Sequence, residues 1–331
     1  MPKLFISTTP FGETDSKSIE LLEKTGWDFE INTLGRKLKP EEVAESAEYC
    51  DGLIAGTEKI DIVLERARNL KIISRVGIGL DSVPLSLCKT KGIKVCYTPD
   101  AVTKAVSELT IGAMVSITRF IPQADRNTRT SNWDRLVGKR LGLSVIGILG
   151  LGRIGTDVVK LLSSFKPKEI LINDIKNKQN EIYSLIKRYG LNIRQVELKT
   201  LVSNSDIVSL HVPLTPLTYR MFDSKLLDCF NKNGFLINYA RGGIVSEDDL
   251  YHAIKDEKLK GVAIDTFEEE PYNGKLTELN QVLFTQHMGS CSFDCRAKME
   301  IQATEEVIRF FKGQPLHNEV PEEEFLLQED L

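Results

Sequence analysis

Three short segments in the second half of the chain hold residue types that together could do acid–base chemistry on a carboxylate-bearing carbonyl compound. Asn238-Tyr239-Ala240-Arg241-Gly242-Gly243 offers a guanidinium, whose planar fork suits bidentate carboxylate recognition. Asp265-Thr266-Phe267-Glu268-Glu269-Glu270-Pro271 offers carboxylates, and Thr285-Gln286-His287-Met288-Gly289-Ser290 carries one of only four histidines. Reducing a 2-keto acid asks for such a set: a cation for the carboxylate, a proton donor for the carbonyl oxygen, and a group that tunes the donor. Each alone has an ordinary alternative. A loop Arg is commonly a surface charge, a Glu before Pro is commonly solvated, and a His beside Gly is more often structural than reactive.

A fourth segment points to a phosphate-bearing ligand. Val145-Ile146-Gly147-Ile148-Leu149 reads as a buried strand running into Gly150-Leu151-Gly152-Arg153-Ile154-Gly155, and Thr156 to Leu162 continues with helical spacing. Gly150 permits the tight turn, Gly152 lets the backbone approach a pyrophosphate, and Gly155 allows close helix–strand packing. The helix N-terminus adds unpaired N–H groups and the positive end of its dipole. A bare G-x-G-x-x-G is a weak signal; a strand before it and a helix after it make it a stronger one. The next strand, Glu169 to Asn173, ends at Asp174, where a carboxylate is expected to bind the ribose hydroxyls and to repel a 2′-phosphate, so NAD is expected over NADP. Lys176 and Lys178 lie close by and weaken that discrimination.

The elements that must position these residues follow from periodicity. The first hundred residues alternate β-like runs (Leu4 to Ile6, Leu53 to Ala55, Ile72-Ile73, Ile93 to Cys96) with helical patterns such as Lys39 to Val43 and Ile60 to Ala67. That alternation predicts a parallel sheet covered on both faces, without a dinucleotide loop of its own. A long helix is expected over Val102 to Arg119, ending before Pro122. Asp125 to Arg140 reads as a polar segment around Trp133. A second series of strands follows at Ser144 to Leu149, Ile170 to Asn173, Ile207 to Leu210, Phe235 to Asn238 and Gly261 to Ile264. A last helix over Arg296 to Phe311 stops before Gly313 and Pro315.

Composition narrows the class. With 331 residues, 41% hydrophobic and 27% charged, the chain fits two globular domains. A formal charge of −4 argues against a nucleic-acid partner, and the basic cluster Arg135, Lys139, Arg140 reads as a solvated face or subunit contact. No apolar run approaches the roughly 18 residues a membrane helix needs. The start has no signal-peptide pattern, so a cytoplasmic location without membrane association is expected. The six cysteines show no C-x-x-C pair or zinc spacing, and no metal is expected; Cys291 and Cys295 stand one helical turn apart.

Taken together and in this order, the motifs resemble the D-isomer-specific 2-hydroxy acid dehydrogenases, most closely their 3-phosphoglycerate dehydrogenase branch in a form without a regulatory domain. The resemblance runs from about Leu53 to Leu316. It includes Ser74-Arg75-Val76-Gly77-Ile78-Gly79-Leu80-Asp81, Ala105 to Thr110, the glycine loop, Ser205 to Thr215 and the three segments above. It implies two Rossmann-like doubly wound parallel α/β domains, the cofactor domain inserted into a discontinuous substrate domain. The expected division is 1–103 with 293–318 for substrate, 104–292 for NAD, and an acidic tail at 319–331. The two crossing helices would act as a hinge for closure over the substrate.

The resemblance also implies residue roles. Arg241 would bind the substrate carboxylate, His287 would exchange the proton, and Glu270 would fix the imidazole and favour its charged form. Gly150, Gly152, Arg153, Ile154, Gly155 and Asp174 would hold NAD, Val212, Pro213, Tyr239, Ala240 and Gly289 would line it, and Asp265 would meet the nicotinamide end. Gly77 and Ile78 would offer main-chain N–H groups to the substrate, and Arg75 would hold a phosphate or make a structural ion pair. His211 is expected to be structural, and the segment around Trp133 to serve a homodimer.

The small-molecule partner would be a 2-hydroxy or 2-keto acid, with 3-phosphoglycerate and hence serine biosynthesis as the first expectation. Glyoxylate or hydroxypyruvate reduction, or NAD(H) sensing as in the C-terminal-binding co-repressors, are the alternatives. One departure is Gln286, where the family usually has Pro; its absence loosens the backbone restraint beside His287. Another lies at Asp100 to Thr103, where many relatives carry an Asn.

Overall fold

The computed structural model describes residues Met1–Glu329. The chain forms two compact units, Met1–Val102 with Ser290–Leu331, and Thr103–Gly289.

The first unit opens with β1 (Lys3–Ile6), α1 (Lys17–Glu23), β2 (Asp28–Ile31), α2 (Pro40–Ala47), β3 (Gly52–Ala55), α3 (Asp61–Arg66), β4 (Ile72–Arg75), α4 (Leu85–Thr90) and β5 (Lys94–Cys96). The strands form one parallel sheet in the order β2-β1-β3-β4-β5. β3 and β4 are buried along their whole length, as strands covered on both faces must be.

The second unit holds α5 (Thr103–Thr118), α6 (Ile121–Arg129), β6 (Val145–Leu149), α7 (Arg153–Leu162), β7 (Glu169–Asn173), α8 (Gln179–Tyr189), β8 (Ile193–Gln195), α9 (Leu198–Asn204), β9 (Ile207–Leu210), α10 (Ser224–Leu227), β10 (Phe235–Asn238), α11 (Glu247–Lys255), β11 (Gly261–Ile264) and β12 (Val282–Phe284). Its seven strands are parallel in the order β12-β11-β10-β9-β6-β7-β8. Alternate side chains of each strand serve two separate cores. Ile146, Ile148, Ile170 and Ile172 face one, and Leu149, Leu171 and Leu236 face the other. The sheet therefore runs as a buried partition with helices on both sides.

The chain then returns to the first unit with α12 (Phe293–Phe311) and α13 (Glu322–Glu329). Cys295, Met299, Ala303 and Val307, four residues apart, form the buried stripe of α12. On its way the helix fixes the loop after β1, because Glu300 accepts from the Gly12 N–H at 2.8 Å and Arg296 donates to Thr8 Oγ1 at 3.1 Å. The acidic end, expected as a separate tail, instead belongs to this unit. Val320 is buried, Phe325 packs on the core, and the Gln328 side chain donates to the carbonyls of Leu80 and Val83. Its few apolar residues sit among glutamates, which hides the packing in the sequence. α5 ends at Thr118, before Pro122 as expected, but Pro122 then opens a further helix, α6, that runs into the stretch read as a polar segment, and no residue of α6 is buried. Among the described residues no helix is long and apolar enough to cross a membrane.

The helix behind the glycine loop is tied to α5 by a buried charge. Asp157 on α7 accepts from Lys104 Nζ and Ser107 Oγ, each at 2.7 Å. Burial opposes its ionisation, but the hydrogen bonds from Lys104 and Ser107 outweigh it and hold the carboxyl below the usual range. A carboxylate with a depressed folded-state pKa stabilises the fold at neutral pH, and that contribution fades as pH falls through the folded value. Asp157→Asn is therefore expected to cost about 2 kcal/mol at pH 7. In urea unfolding followed against pH, the variant and the parent should converge in acid, once pH has fallen below the ordinary carboxylate range and the parent carboxyl takes up its proton.

Candidate active site

The strand order of the second unit reverses between β6 and β9, and ligands of open α/β sheets bind at the carboxyl ends beside such a switch point. The glycine loop leaves β6 at that place. Gly150 has φ +93°, and a Cβ there would lie 2.6 Å from the His211 carbonyl oxygen at the end of β9. A Cβ on Gly155 would overlap the Gly150 carbonyl, whereas one on Gly152 would meet no protein atom within 4 Å. Two of the glycines are thus demanded by the protein itself. The third faces a depression of about 500 Å³ that Arg153, Thr156 and Lys178 also line, at the N-terminus of α7. That open approach beside helical N–H groups suits a pyrophosphate.

Asp174, just past β7, accepts from the Leu151 N–H at 2.8 Å and from the Lys176 N–H at 2.9 Å. It latches the glycine loop, a role sequence reasoning missed, and a carboxylate retains lone pairs beyond these two bonds. His211, expected to be structural, bonds Ser209 Oγ at 3.0 Å, and burial pushes its pKa down to about 3. Its imidazole is neutral at ordinary pH. Val212 follows it on the same loop and is half-buried, with Pro213 exposed beside it.

Arg241, Glu270 and His287 come from the loops after β10, β11 and β12, three neighbouring strands of the same sheet edge. Asn238, 1% exposed, shapes the first loop: its side chain accepts from the Ala240 N–H and donates to the Arg241 carbonyl at 2.9 Å. Arg241 Nη1 donates to the Ala240 carbonyl at 2.7 Å. Asn238 is another residue the sequence did not single out; an Asx-type turn at a strand end was the available signal. Tyr239 and Ala240 between them are buried.

Asp265 holds the third loop. Its Oδ1 accepts from Thr285 Oγ1 at 2.6 Å and from the Met288 N–H at 2.9 Å, and its Oδ2 accepts from the Gly289 N–H at 2.9 Å. Its carbonyl accepts from the His287 N–H at 2.7 Å. These four bonds matter because His287 has φ +51°, a region costly for a residue with a Cβ. Where the missing proline at Gln286 suggested a looser backbone, the buried carboxylate supplies the restraint. The sequence pointed Asp265 at the cofactor; three of its carboxylate's four lone-pair sites are spent on the loop.

His287 meets Glu270 closely. Nδ1 is 2.9 Å from both carboxylate oxygens, and Glu270 Oε1 also accepts from the Phe267 N–H at 3.3 Å. A carboxylate accepts hydrogen bonds only, so Nδ1 carries the proton.

A family model described as D-isomer specific 2-hydroxyacid dehydrogenase, NAD binding domain, matches residues 111–289. The chain belongs to the D-isomer-specific 2-hydroxyacid dehydrogenase family. Among its relatives, a glyoxylate reductase of Thermofilum pendens is 38% identical over 267 residues, covering 78% of this chain and 77% of the relative. A D-3-phosphoglycerate dehydrogenase of Methanocaldococcus jannaschii is 33% identical over 308 residues, 92% of this chain but only 57% of that longer protein. The crystal structure of the TT0316 protein of Thermus thermophilus superimposes with a TM-score of 0.85 at 27% identity, covering 96% of this chain and all of that one.

As a member of this family the protein is an NAD-dependent oxidoreductase, and the approach at Gly152 fits that cofactor. In the dehydrogenase's first unit, Arg75 ends β4 and is 8% exposed, and its guanidinium turns back to donate to the Val76 carbonyl. The Gly77 N–H, expected to face substrate, donates instead to Thr98 Oγ1 at 2.8 Å and to the Arg75 carbonyl at 3.0 Å. An amide already satisfied inside its own unit is a poor donor to a ligand. Ile78, next along the loop, is partly buried against the core.

Proposed function

We propose that this chain exchanges hydride between NAD and a short D-2-hydroxy acid, with His287 as the acid–base group, Glu270 as its partner and Arg241 as the carboxylate-binding cation. The observation that carries the reading is the Nδ1 contact with both Glu270 oxygens at 2.9 Å. With Nδ1 committed, Nε2 is the ring atom that meets the substrate oxygen. Bound NAD supplies or accepts the hydride at C2. In reduction Nε2 gives a proton to the carbonyl oxygen, and in oxidation it takes the hydroxyl proton back. The Arg241 fork holds the carboxylate and draws charge from the adjacent carbonyl. Gly150 to Gly155 carry the pyrophosphate, and Asp174 adds the ribose hydroxyls to its loop contacts.

For the substrate, an unphosphorylated acid such as glyoxylate or hydroxypyruvate is the first reading. Arg75 is buried and committed to its own loop, so a phosphate would have to displace a contact already made. The T. pendens relative, named a glyoxylate reductase, supports the same reading. The phosphorylated acid is the second reading, favoured by the M. jannaschii relative. Measuring kcat/KM with NADH for glyoxylate, hydroxypyruvate and 3-phosphohydroxypyruvate separates them. The first reading expects the unphosphorylated acids to lead and Arg75→Ala to affect all three alike. A preference for the phosphorylated acid that Arg75→Ala removes would establish the second. Tight NADH binding with no turnover on any of the three would mean a sensor and sink both.

We assign a homodimer to this dehydrogenase on Trp133 and Val137, which expose 79% and 89% of their surface on the segment after α6. Cys50, Cys88, Cys96 and Cys295 are buried thiols, which supports a reducing, cytoplasmic setting.

A further inference from the structure

Three aromatic rings stand beside the Glu270–His287 pair and no step above uses them. Phe267 and Tyr272 stack at 4.4 Å between centroids with 21° between their planes. Phe284 lies 6.2 Å from each, nearly parallel to both. Their positions in the chain are informative. Phe267 precedes Glu270 by three residues, Tyr272 follows it by two, and Phe284 precedes His287 by three. The stack therefore joins the loop that carries the carboxylate to the strand end that carries the imidazole. All three rings are only partly buried and pack against the core of the second unit. Phe267 has a second constraint: a Cβ on Gly242, next to Arg241, would overlap the Phe267 carbonyl, so the arginine loop rests on the same peptide.

We propose that Phe267, Tyr272 and Phe284 are positioning residues that set the Glu270–His287 hydrogen bond. The inference rests on the acid–base reading of His287 given above. Asp265 fixes the backbone of the His287 loop through Thr285, Met288 and Gly289. Within the Glu270 loop the carboxylate accepts the 3.3 Å bond from the Phe267 N–H, and the Phe267 ring stacks on Tyr272 with Phe284 6.2 Å from both. Stacked aromatic pairs add attraction beyond the burial of their rings, enough to select one loop conformation. Loss of the stack lets Glu270 drift from Nδ1 while the fold, the cofactor loop and Arg241 stay in place.

The test compares Tyr272→Leu, which removes the stacking ring, with Tyr272→Phe, which keeps the ring and loses only the hydroxyl that accepts from the Leu276 N–H at 3.2 Å. Tyr272→Leu is expected to lower kcat about tenfold with KM for the keto acid and NADH affinity unchanged. Tyr272→Phe should retain parental kcat. A spectroscopic readout needs no turnover: the low-field proton resonance of His287 Nδ1–H, assigned by its loss in His287→Gln, should vanish or broaden in Tyr272→Leu and persist in Tyr272→Phe. An unchanged resonance in Tyr272→Leu, or equal losses in the two variants, would overturn the positioning role. If Tyr272→Leu proved too unstable to study, Phe284→Leu carries the same expectations. Full turnover in His287→Gln would instead defeat the acid–base reading, whatever the aromatic variants do.

Discussion

Replacing His287 with Gln should cut kcat by about 10²–10⁴-fold, the range general acid–base catalysis usually supplies, while NADH affinity changes little. Glutamine keeps a polar, uncharged tip of similar reach but cannot exchange a proton at physiological pH. The loop should survive the change, because its geometry is set by the bonds from Asp265 and not by the imidazole. A glutamine at φ +51° carries at least the backbone strain of the histidine it replaces, so thermal stability is expected at or slightly below the parent. Glu270→Gln offers a graded control. It preserves a hydrogen-bond acceptor for Nδ1 and removes the charge, and partners of this kind typically change activity about 10–100-fold. Stopped-flow NADH oxidation with the best keto acid, beside fluorescence titration of NADH, measures both. A His287→Gln enzyme within tenfold of the parent would rule the histidine out as the proton donor.

The glycine loop provides the second large effect, as a contrast between neighbours. Gly155→Ala puts a methyl into the Gly150 carbonyl, so the start of α7 must move away from β6. Overpacking of this kind costs about 1–3 kcal/mol or more, and the variant should lose both stability and NADH binding. Gly152→Ala meets no protein atom within 4 Å, so its melting temperature should match the parent within experimental error. Its methyl would nevertheless occupy the approach to the N–H groups of α7, and NADH affinity is expected to fall by at least tenfold, about 1.4 kcal/mol. Differential scanning fluorimetry with and without NADH distinguishes the two in one experiment. A Gly152→Ala protein that binds NADH as the parent does would mean that the pyrophosphate lies elsewhere.

Central strands were easy to read because burial on both faces leaves an uninterrupted apolar run, as in Ile207–Leu210, Phe235–Asn238 and Gly261–Ile264. β2, β8 and β12 escaped notice. They lie at sheet edges, bury one face only, and spell short mixed sequences such as Asp28-Phe29-Glu30-Ile31. α6 was invisible for a related reason, since a helix with no buried residue prints no periodicity. The reactive side chains announced themselves by type and by their place after strands. What sequence could not show was who holds them. Asn238, Asp265 and Asp174 act through side chain-to-backbone bonds within their own loops or across to neighbouring ones, and such bonds leave no pattern of spacing. The Gly77 N–H illustrates the converse: its motif was correctly noticed, yet the donor is already satisfied by Thr98, twenty-one residues away.

The late return of the chain has a consequence for biosynthesis. α12 covers β3 and β4, with Phe311 set against Gly52 and edge-on to Trp27 at 5.5 Å. Residues 1–102 therefore leave the ribosome with one face of their sheet bare. It stays bare while all of residues 103–289 is translated, although that later segment has both of its own cores in hand. The nascent first segment is a stretch of exposed aliphatic surface waiting for its last helix. Translation speed and chaperone access over that interval, more than the equilibrium stability of either unit, should govern how much of this dehydrogenase a cell recovers intact.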